Sequence, residues 1–436
     1  MALGGGTWQT QNKPLPGSYI NFVSASRATA ALSDRGVAAM PLAWGWGPEG
    51  EVFEVTAEAF QKDSLSLFGY DYTHEKMKGL RDLFSNIRKA YFYRLGAGVK
   101  AANDFATAKY TGTRGNDIQI VIAKNAADAD KFDVSTLLDG RVRDMQIVAA
   151  ADELKSNEFV SWKTSATLAV TAGTPLADGA DAAALTGDDY QAFLDKVEPY
   201  SFNTLGCTAT DEAVKSLFVQ FTKRLRDEQG VKFQTVLYRP GAVDHEGVIG
   251  VQNAVTEEGW PESSLVYWVT GAQAGCAVNK SVQNVKYNGA FTVDASLSQA
   301  QLADALAKGQ FVMHRVGDET RVLDDINTFV SFTEGKGEDF AANQTVRVLD
   351  QIGNDVAVLF SDKYLGAIPN DNAGRVSFWS DVVSLLEKLQ AMRAIENFVS
   401  DDVTVAQGES KKAVVCGASV TPVNAMSKLY MTVTVN

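Results

Sequence analysis

The sequence has few of the side chains that most often carry chemistry in proteins. Among 436 residues there are only three histidines and three cysteines. Cys207, Cys276 and Cys416 lie far apart, and no CxxC or Cys/His spacing of the kind that binds zinc occurs. This pattern excludes a disulfide framework and indicates reduced thiols in a reducing compartment.

Long uncharged apolar runs are also absent. No stretch of about 18 apolar residues is free of charged side chains, so the sequence predicts no transmembrane helix and no membrane anchoring. The first residues, MALGGGTWQT, have neither the basic region nor the apolar region of a signal peptide. We therefore expect a protein that stays in the compartment where it is made.

Positive charge is the third shortage. The formal net charge is −13 and the isoelectric point about 4.9. Nucleic acids and anionic membranes select clustered lysine and arginine, so neither is an expected partner. With 45% hydrophobic and 21% charged residues, the composition is that of a globular protein. The length corresponds to about three domains of roughly 150 residues.

The order of patterns along the chain predicts the fold class. Short strand patterns bounded by turn residues stand between two stretches of mixed helix and strand, neither of which is long enough for a complete sheet. We therefore expect an α/β core domain with an inserted all-β, sandwich-like domain and an α+β C-terminal domain. The expected boundaries are residues 1–20 for an N-terminal extended arm, 21–97 and 186–335 for the two parts of the α/β domain, 98–185 for the inserted β-domain, and 336–436 for the C-terminal domain.

Three local patterns give sharper expectations. Asn288-Gly289 is the strongest short signal for a β-hairpin in the chain. Thr210 is placed to cap a helix that carries apolar residues on one face. Two long amphipathic helices are expected over about 340–363 and 373–399.

Asp244-His245-Glu246 is the most reactive-looking cluster. An imidazole between two carboxylates can act as a general base or a metal ligand. The three residues are consecutive, however, so on a strand both acids point away from the histidine, and no serine or cysteine occupies a recognisable nucleophile elbow. A solvated loop is the favoured interpretation, and a soluble α/β enzyme or ligand-binding protein with a site here is the alternative.

Two further features resemble binding motifs only weakly. The glycine-rich segment 112–116 lacks the Lys-Ser/Thr of a phosphate-binding loop and precedes a strand, so it predicts a tight turn. Trp44, Trp46 and Trp260 can stack on a sugar or a base, although tryptophans in apolar runs more often belong to a core or an interface. We assign no catalytic, cofactor-binding or metal-binding residue.

The last residues alternate strictly, as a β-strand does. Such a strand can form a local hairpin with residues 411–420, or it can add to the sheet edge of another copy of the chain. One face carries Leu429, Met431, Val433 and Val435, and the other carries Tyr430, Thr432 and Thr434.

Several segments together resemble contractile phage tail sheath proteins, in particular those of defective prophages and phage-tail-like bacteriocins of Gram-positive bacteria. The matching segments occur from end to end in the family's order. They are GGTW (5–8), PGSYINF (16–22), RGV (35–37), PLAWGWGP (41–48), AKYTGTRGNDI (108–118) and KLYMTVTV (428–435).

The resemblance implies a structural subunit, not an enzyme, without a cofactor. Subunits of this family stack as hexameric rings around an inner tail tube, with the C-terminal region inward and the inserted β-domain outward. Contraction drives the tube through a target envelope without nucleotide hydrolysis. The implied partners are other copies of the chain, the inner tube protein, and baseplate and tail terminator proteins. The subunit is made in the bacterial cytoplasm and becomes part of a tail particle.

The resemblance also implies that terminal strands are exchanged between subunits. The receiving edge is expected within residues 411–420. The candidate residues are Ser18, Tyr19, Ile20, Asn21, Phe22 and Val23 in the N-terminal arm, Val414 and Val415 at the receiving edge, and Leu429, Tyr430, Met431, Thr432, Val433, Thr434 and Val435 in the last strand.

Overall fold

The computed structural model of the chain describes residues 32–435, which form nineteen strands and eight α-helices. The strands are β1 (Val37–Leu42), β2 (Val52–Thr56), β3 (Lys89–Arg94), β4 (Ala106–Ala108), β5 (Ile118–Lys124), β6 (Phe132–Leu138), β7 (Arg141–Val148), β8 (Val160–Trp162), β9 (Thr171–Pro175), β10 (Thr204–Cys207), β11 (Gln234–Tyr238), β12 (Val248–Val251), β13 (Gln310–Phe311), β14 (Met313–Val316), β15 (Glu319–Val322), β16 (Ile395–Glu396), β17 (Val403–Gln407), β18 (Val414–Ala418) and β19 (Thr421–Pro422).

The helices follow the same numbering by chain order. They are α1 (Ala57–Phe68), α2 (Lys78–Phe84), α3 (Gly187–Val197), α4 (Glu212–Lys223), α5 (Leu265–Gly275), α6 (Gln299–Ala307), α7 (Asn343–Leu359) and α8 (Asn372–Ala391). Short π-helical turns extend α4 over Arg224–Glu228 and α7 over Phe360–Tyr364. Among residues 32–435, no helix combines the length and the apolar character that crossing a bilayer requires.

A seven-stranded sheet in the order β13-β12-β11-β10-β1-β3-β2 forms the centre of the molecule. All its neighbouring strands pair in parallel except β2, which pairs antiparallel with β3. Parallel strands are buried on both faces, so their sequences are continuous apolar runs. In β1, Ala38, Met40 and Leu42 contact the core under α1, α2 and α5. Val37 and Ala39 contact the core under α3 and α4.

The all-β region is inserted between β3 and β10 of the central sheet. A four-stranded antiparallel sheet, β7-β6-β5-β9, packs with the two-stranded sheet β4-β8 around a separate core. Strict alternation puts Ile118, Ile120 and Ile122 of β5 into that core. This confirms the predicted fold class, an α/β core with an inserted β-sandwich.

The C-terminal region packs α7 and α8 beneath short antiparallel ribbons. Its core includes Val348 of α7, Leu385 and Leu386 of α8 and Val403 of β17. Two separate pairs, β16-β19 and β17-β18, are the only sheets that this region forms within the described residues. The mixture of helices and antiparallel strands agrees with the predicted α+β character.

The predicted hairpin at Asn288-Gly289 is wrong. Neither residue has the positive φ that a two-residue hairpin turn requires. Instead, the Asn288 side chain accepts a hydrogen bond from the Trp268 indole at 2.7 Å. A Cβ at Gly289 would stand 2.2 Å from the carboxylate of Asp82, so the loop is pressed against α2. Long-range packing overrides the local turn preference here.

Two predicted helix limits also need correction. Asp211, not Thr210, caps α4, because its carboxylate accepts the hydrogen bond of the Val214 amide at 3.0 Å. The helix expected over 373–399 ends at Ala391. Arg393 then adopts a left-handed conformation with φ 63°, which sends the chain into β16. Because β16 pairs with β19, a strand contact decides where the helix stops.

Candidate assembly interface

The β17-β18 ribbon presents open sheet edges. The two strands pair antiparallel from Gln407↔Val414 to Val403↔Ala418, and no other strand among residues 32–435 pairs with either. Val414 and Val415, the residues predicted for the receiving edge, both lie in β18. Unpaired backbone N–H and C=O groups on an edge strand are a template for another chain.

Helix α8 supports this ribbon mainly beneath β17. The Trp379 indole donates a hydrogen bond to the Val403 carbonyl at 2.9 Å, and Val405 packs on the same core. Val414 is half-buried, whereas Val415 is 59% exposed. The apolar support therefore becomes incomplete beneath β18, on the side where a further strand would lie.

Further apolar side chains lie next to the first residue of β18, Val414. A small crevice of about 100 Å³ is lined by Leu365, Ile368, Phe378 and Val414, among others. Leu365 and Ile368 are exposed, although both belong to the tight connection between α7 and α8. This surface adjoins the open ribbon and gives it an uncovered apolar border.

The chain is firmly attached up to Ala425. The Val423 amide donates to the Ala394 carbonyl at 2.9 Å. Gln344 of α7 donates to the Val423 carbonyl and accepts from the Ala425 amide, each at 2.9 Å. Asn424 exchanges hydrogen bonds with the Thr345 hydroxyl. No local sequence pattern marks this anchor, because Gln344 and Thr345 meet it only through tertiary contact.

Beyond this anchor, residues 426–435 leave the domain. They form no helix or strand and make no hydrogen bond with other described residues. Leu429 is 85% exposed and Tyr430 is 88% exposed, and the alternating residues up to Val435 are exposed as well. The local hairpin with residues 411–420 is therefore not formed, since β18 pairs with β17 instead. The other candidate strand, Ser18–Val23, lies outside the described residues.

Asp244-His245-Glu246 lies elsewhere, in the connection between β11 and β12. Asp244 accepts hydrogen bonds from the Val330 and Ser331 amides at 2.8 and 3.0 Å. The side chains thus separate: His245 and Glu246 are buried, while Asp244 ties down a neighbouring loop. The expectation of a solvated loop is wrong for His245 and Glu246, because tertiary packing covers them.

A metal ion does not fit this cluster well, although Asp227, His245 and Glu246 bring ligand atoms within 4.8 Å of one another. His245 Nδ1 accepts from the Gly247 amide at 3.0 Å, so the proton of the neutral ring is on Nε2. Nε2 lies 3.1 Å from Asp227 Oδ2, so that proton faces the carboxylate. Neither ring nitrogen then has a free lone pair for a cation.

Glu246 is also paired with nearby cations. Lys336 Nζ lies 2.6 Å from its carboxylate, and Arg226 lies 3.9 Å away. Burial acts to raise the pKa of Glu246, but the Lys336 hydrogen bond and the charge of Arg226 help to outweigh it, so that the pKa is lowered. Burial lowers the pKa of His245. The arrangement is that of a buried polar junction.

This junction continues through ion pairs that the sequence analysis did not identify. Arg226 binds both oxygens of Asp350 in α7, at 2.7 and 2.9 Å. Arg347, one turn earlier in α7, is 1% exposed and lies 3.3 Å from Asp325. Partners so far apart in sequence leave no local pattern by which they could have been found.

Family models match almost the whole described chain. The models of the phage tail sheath protein match in four consecutive parts. They are the domain III N-terminal region of a tail sheath protein (residues 35–95), the tail sheath β-sandwich domain (96–181), the tail sheath central domain (183–328) and the tail sheath C-terminal domain (335–436).

Individual relatives agree with these models. The phage-like element PBSX protein XkdK of Bacillus subtilis is 34% identical over the full length of both chains. The crystal structure of a sheath tail protein from Desulfitobacterium hafniense is 37% identical, covers 95% of this chain and 99% of its own, and superposes with a TM-score of 0.84. The helical sheath of the anti-feeding prophage in its contracted state is 14% identical, covers 97% of this chain and 99% of its own, and has a TM-score of 0.58, which shows a shared fold alone. The resemblance noted in the sequence is confirmed, and the chain belongs to the phage tail sheath protein family.

Proposed function

We propose that this chain is the structural subunit of a contractile tail sheath. In this proposal, subunits polymerise as stacked hexameric rings around an inner tail tube, and contraction drives the tube through a target cell envelope. The observation that carries it is the combination of an open β17-β18 ribbon with an alternating, unpaired segment at residues 426–435.

Strand exchange explains both features at once. A two-stranded ribbon is marginal by itself, and a third strand satisfies its edge amides and carbonyls. Residues 429–435 of one subunit add to the ribbon of a neighbour, with the receiving edge at Val414 and Val415. Leu429, Met431 and Val433 then face the incompletely covered apolar side. Ser18–Val23 supplies the second exchanged strand.

Contraction follows from rigid bodies joined by extensible connections. The segment after Ala425 makes no hydrogen bond with the described part of its own subunit, so it can stay bound to a neighbour while subunits rotate. The energy comes from interfaces that differ between the extended and contracted arrangements. The subunit is then a structural protein without catalysis, and its partners are other copies, the inner tube, and baseplate and terminator proteins. It is synthesised in the bacterial cytoplasm and functions in the tail particle, with the C-terminal region inward and the β-domain outward.

Negative-stain electron microscopy of concentrated protein tests strand exchange directly. We expect rings or tubes from the full-length chain and none from a variant that lacks residues 427–436. Val433→Glu should also abolish assembly, since burying an unpaired carboxylate costs several kcal/mol in every subunit contact.

Val170→Glu is the matched control, because Val170 is 64% exposed and Val433 is 71% exposed. It changes the same side chain in the inserted domain and should leave assembly intact. If the wild-type chain needs a template, inner tube and baseplate are added to all variants alike. Normal tubes from the truncated variant would contradict exchange of the last strand.

A further inference from the structure

A crevice of about 410 Å³ lies at the carboxyl ends of β1 and β10. From β1 the chain continues through β2 to β3 on one side of the sheet, and β10 leads to β11 and β12 on the other side. Ala43 to Gly45 follow β1, Thr208 follows β10, and all line the crevice. In open α/β sheets, such a reversal of strand order separates the loops and opens a ligand crevice.

Four aromatic side chains from separate segments form its walls: Trp44, Tyr70, Trp260 and Tyr267. Trp44 and Tyr70 meet edge to face, with ring centroids 6.2 Å apart and an interplanar angle of 85°. The rings therefore form a corner with apolar faces. The volume lies within the roughly 300–1,000 Å³ typical of small-molecule sites.

The walls are held in place from behind. The Trp44 indole donates to the Phe68 carbonyl at 2.7 Å, and Arg94 Nε donates to the Trp44 carbonyl at 2.6 Å. Tyr267 packs over Gly79, where an added Cβ would stand 2.6 Å from its ring. The crevice is thus largely preformed, which lowers the entropy cost of binding.

Charged groups of both signs line the crevice, and each has a hydrogen-bonding partner within the protein, Glu75 having Lys78. Arg114 binds both oxygens of Asp139, at 2.8 and 2.6 Å. Asp181 accepts two hydrogen bonds from Thr113, each of 2.9 Å. Lys76 donates to the Tyr70 hydroxyl at 2.9 Å. These groups do not call for a ligand of either charge.

Neutral hydrogen-bonding groups remain unused. The Tyr267 hydroxyl and the Trp260 indole N–H make no hydrogen bond with any residue between 32 and 435. Both side chains are only half-buried and line the crevice. A ligand that fits must offer hydrogen-bonding oxygens to these groups and an apolar face to the rings.

We propose that this crevice binds a neutral saccharide. A sugar ring presents a C–H face that packs on aromatic rings, and its hydroxyls can pair with Tyr267 and Trp260. A flat base can also stack on a single aromatic ring, so a base is the competing ligand that the test must separate. Arg114 is paired with Asp139, and the two carboxylates that also line the crevice, Glu75 and Asp181, disfavour a nucleotide or phosphosugar.

Saccharide titration of the full-length protein tests the proposal. The probes are glucose, galactose, N-acetylglucosamine and maltose, followed by saturation-transfer NMR and tryptophan fluorescence, with adenosine as the base probe. We expect at least one saccharide to saturate with a Kd on the order of 1 mM. Tyr267→Phe keeps the ring and removes only the hydroxyl, so it should weaken that binding roughly five- to tenfold, as loss of one hydrogen bond implies. Trp260→Phe also replaces the indole with a smaller ring and should weaken the binding at least as much.

Tyr200→Phe is the control, because Tyr200 is exposed and does not line the crevice. It should leave the affinity unchanged. The proposal is overturned if no saccharide binds up to about 50 mM, some fiftyfold above the expected Kd. It is also overturned if adenosine alone binds, or if the affinity is the same in both crevice variants as in the wild-type protein.

Discussion

His245 shows how environment decides what a side chain does. Between Asp244 and Glu246 in the sequence it resembles a catalytic base. In the fold its Nδ1 accepts from the Gly247 amide, and its Nε2 faces Asp227. A buried ring with both nitrogens engaged stabilises a loop and is unsuited to proton transfer with a substrate.

The neutral state of His245 predicts a pH dependence of stability. Burial lowers its pKa below the ordinary 6.5, so the unfolded chain binds more protons in the window below 6.5. The contribution of neutral His245 to the free energy of unfolding is therefore fully present above pH 6.5. It is lost as the pH falls from 6.5 through the folded-state pKa. We expect the midpoint temperature of thermal unfolding to fall between about pH 7.5 and about pH 5.5, and to fall further in the wild type than in His245→Gln.

The glutamine variant keeps an amide that can donate to Asp227 but does not titrate. Carboxylates elsewhere in the chain affect both proteins alike, so the difference between the two shifts isolates the histidine. Equal shifts in the two proteins would show that His245 does not couple protonation to folding.

At the scale of elements, the backbone hydrogen-bonding groups of β18 and of the segment after Ala425 could satisfy each other. Within the described part of the chain, β18 has β17 on one side and no strand on the other, and residues 429–435 alternate as a strand does but join no sheet. Their local patterns predicted strand character in both cases. Only the fold shows that β18 pairs with β17 and that residues 426–435 pair with no strand of the described part.

Hydrogen exchange should distinguish the free and exchanged states of this segment. In the isolated subunit, amides of residues 427–435 have no hydrogen-bond partner among residues 32–435 and should exchange at about the rate of an unstructured peptide. In assembled particles, strand addition should protect alternate amides. Mass spectrometry of peptic fragments measures both, with the buried strand β5 as a protected reference. Unchanged rapid exchange in assembled particles would rule out strand addition by this segment.

At the scale of the whole molecule, buried ion pairs join the central sheet to the C-terminal helices. Arg226 and Asp350 connect the end of α4 to α7, and Arg347 reaches Asp325. Such pairs contribute little net energy when intact but are costly to break, because the remaining charge stays buried. They link the central sheet to α7, so breaking one pair should loosen this connection.

Asp350→Asn tests this connection. It removes the negative charge nearest to Arg226, a side chain only 3% exposed, and should destabilise the protein by about 3–5 kcal/mol. Asp304→Asn breaks the exposed i,i+4 pair with Lys308 and should change stability by less than about 0.5 kcal/mol. Urea unfolding followed by tryptophan fluorescence compares the two variants, and equal midpoints would contradict a role for the buried pair.

Domain boundaries illustrate what patterns along a chain can and cannot define. The change from helix-and-strand texture to short strands predicted an inserted β-sandwich, and the fold has one between β3 and β10. The predicted limits at residues 97 and 185 stay a prediction. Family models change at 95 and 183, but a change of model is not a physical boundary.

The sequence by itself determined the features that depend on neighbours along the chain. Alternation determined β5, and the capping box at Ser298 fixed the start of α6. Strand formation by residues 429–435 stays a prediction. Tertiary structure decided what depends on distant partners: the fate of Asn288-Gly289, the end of α8, the burial of His245, and the meeting of Trp44 with Trp260 in one crevice. Periodicity is a local property of the backbone, whereas these contacts join residues whose separation in sequence leaves no periodic trace.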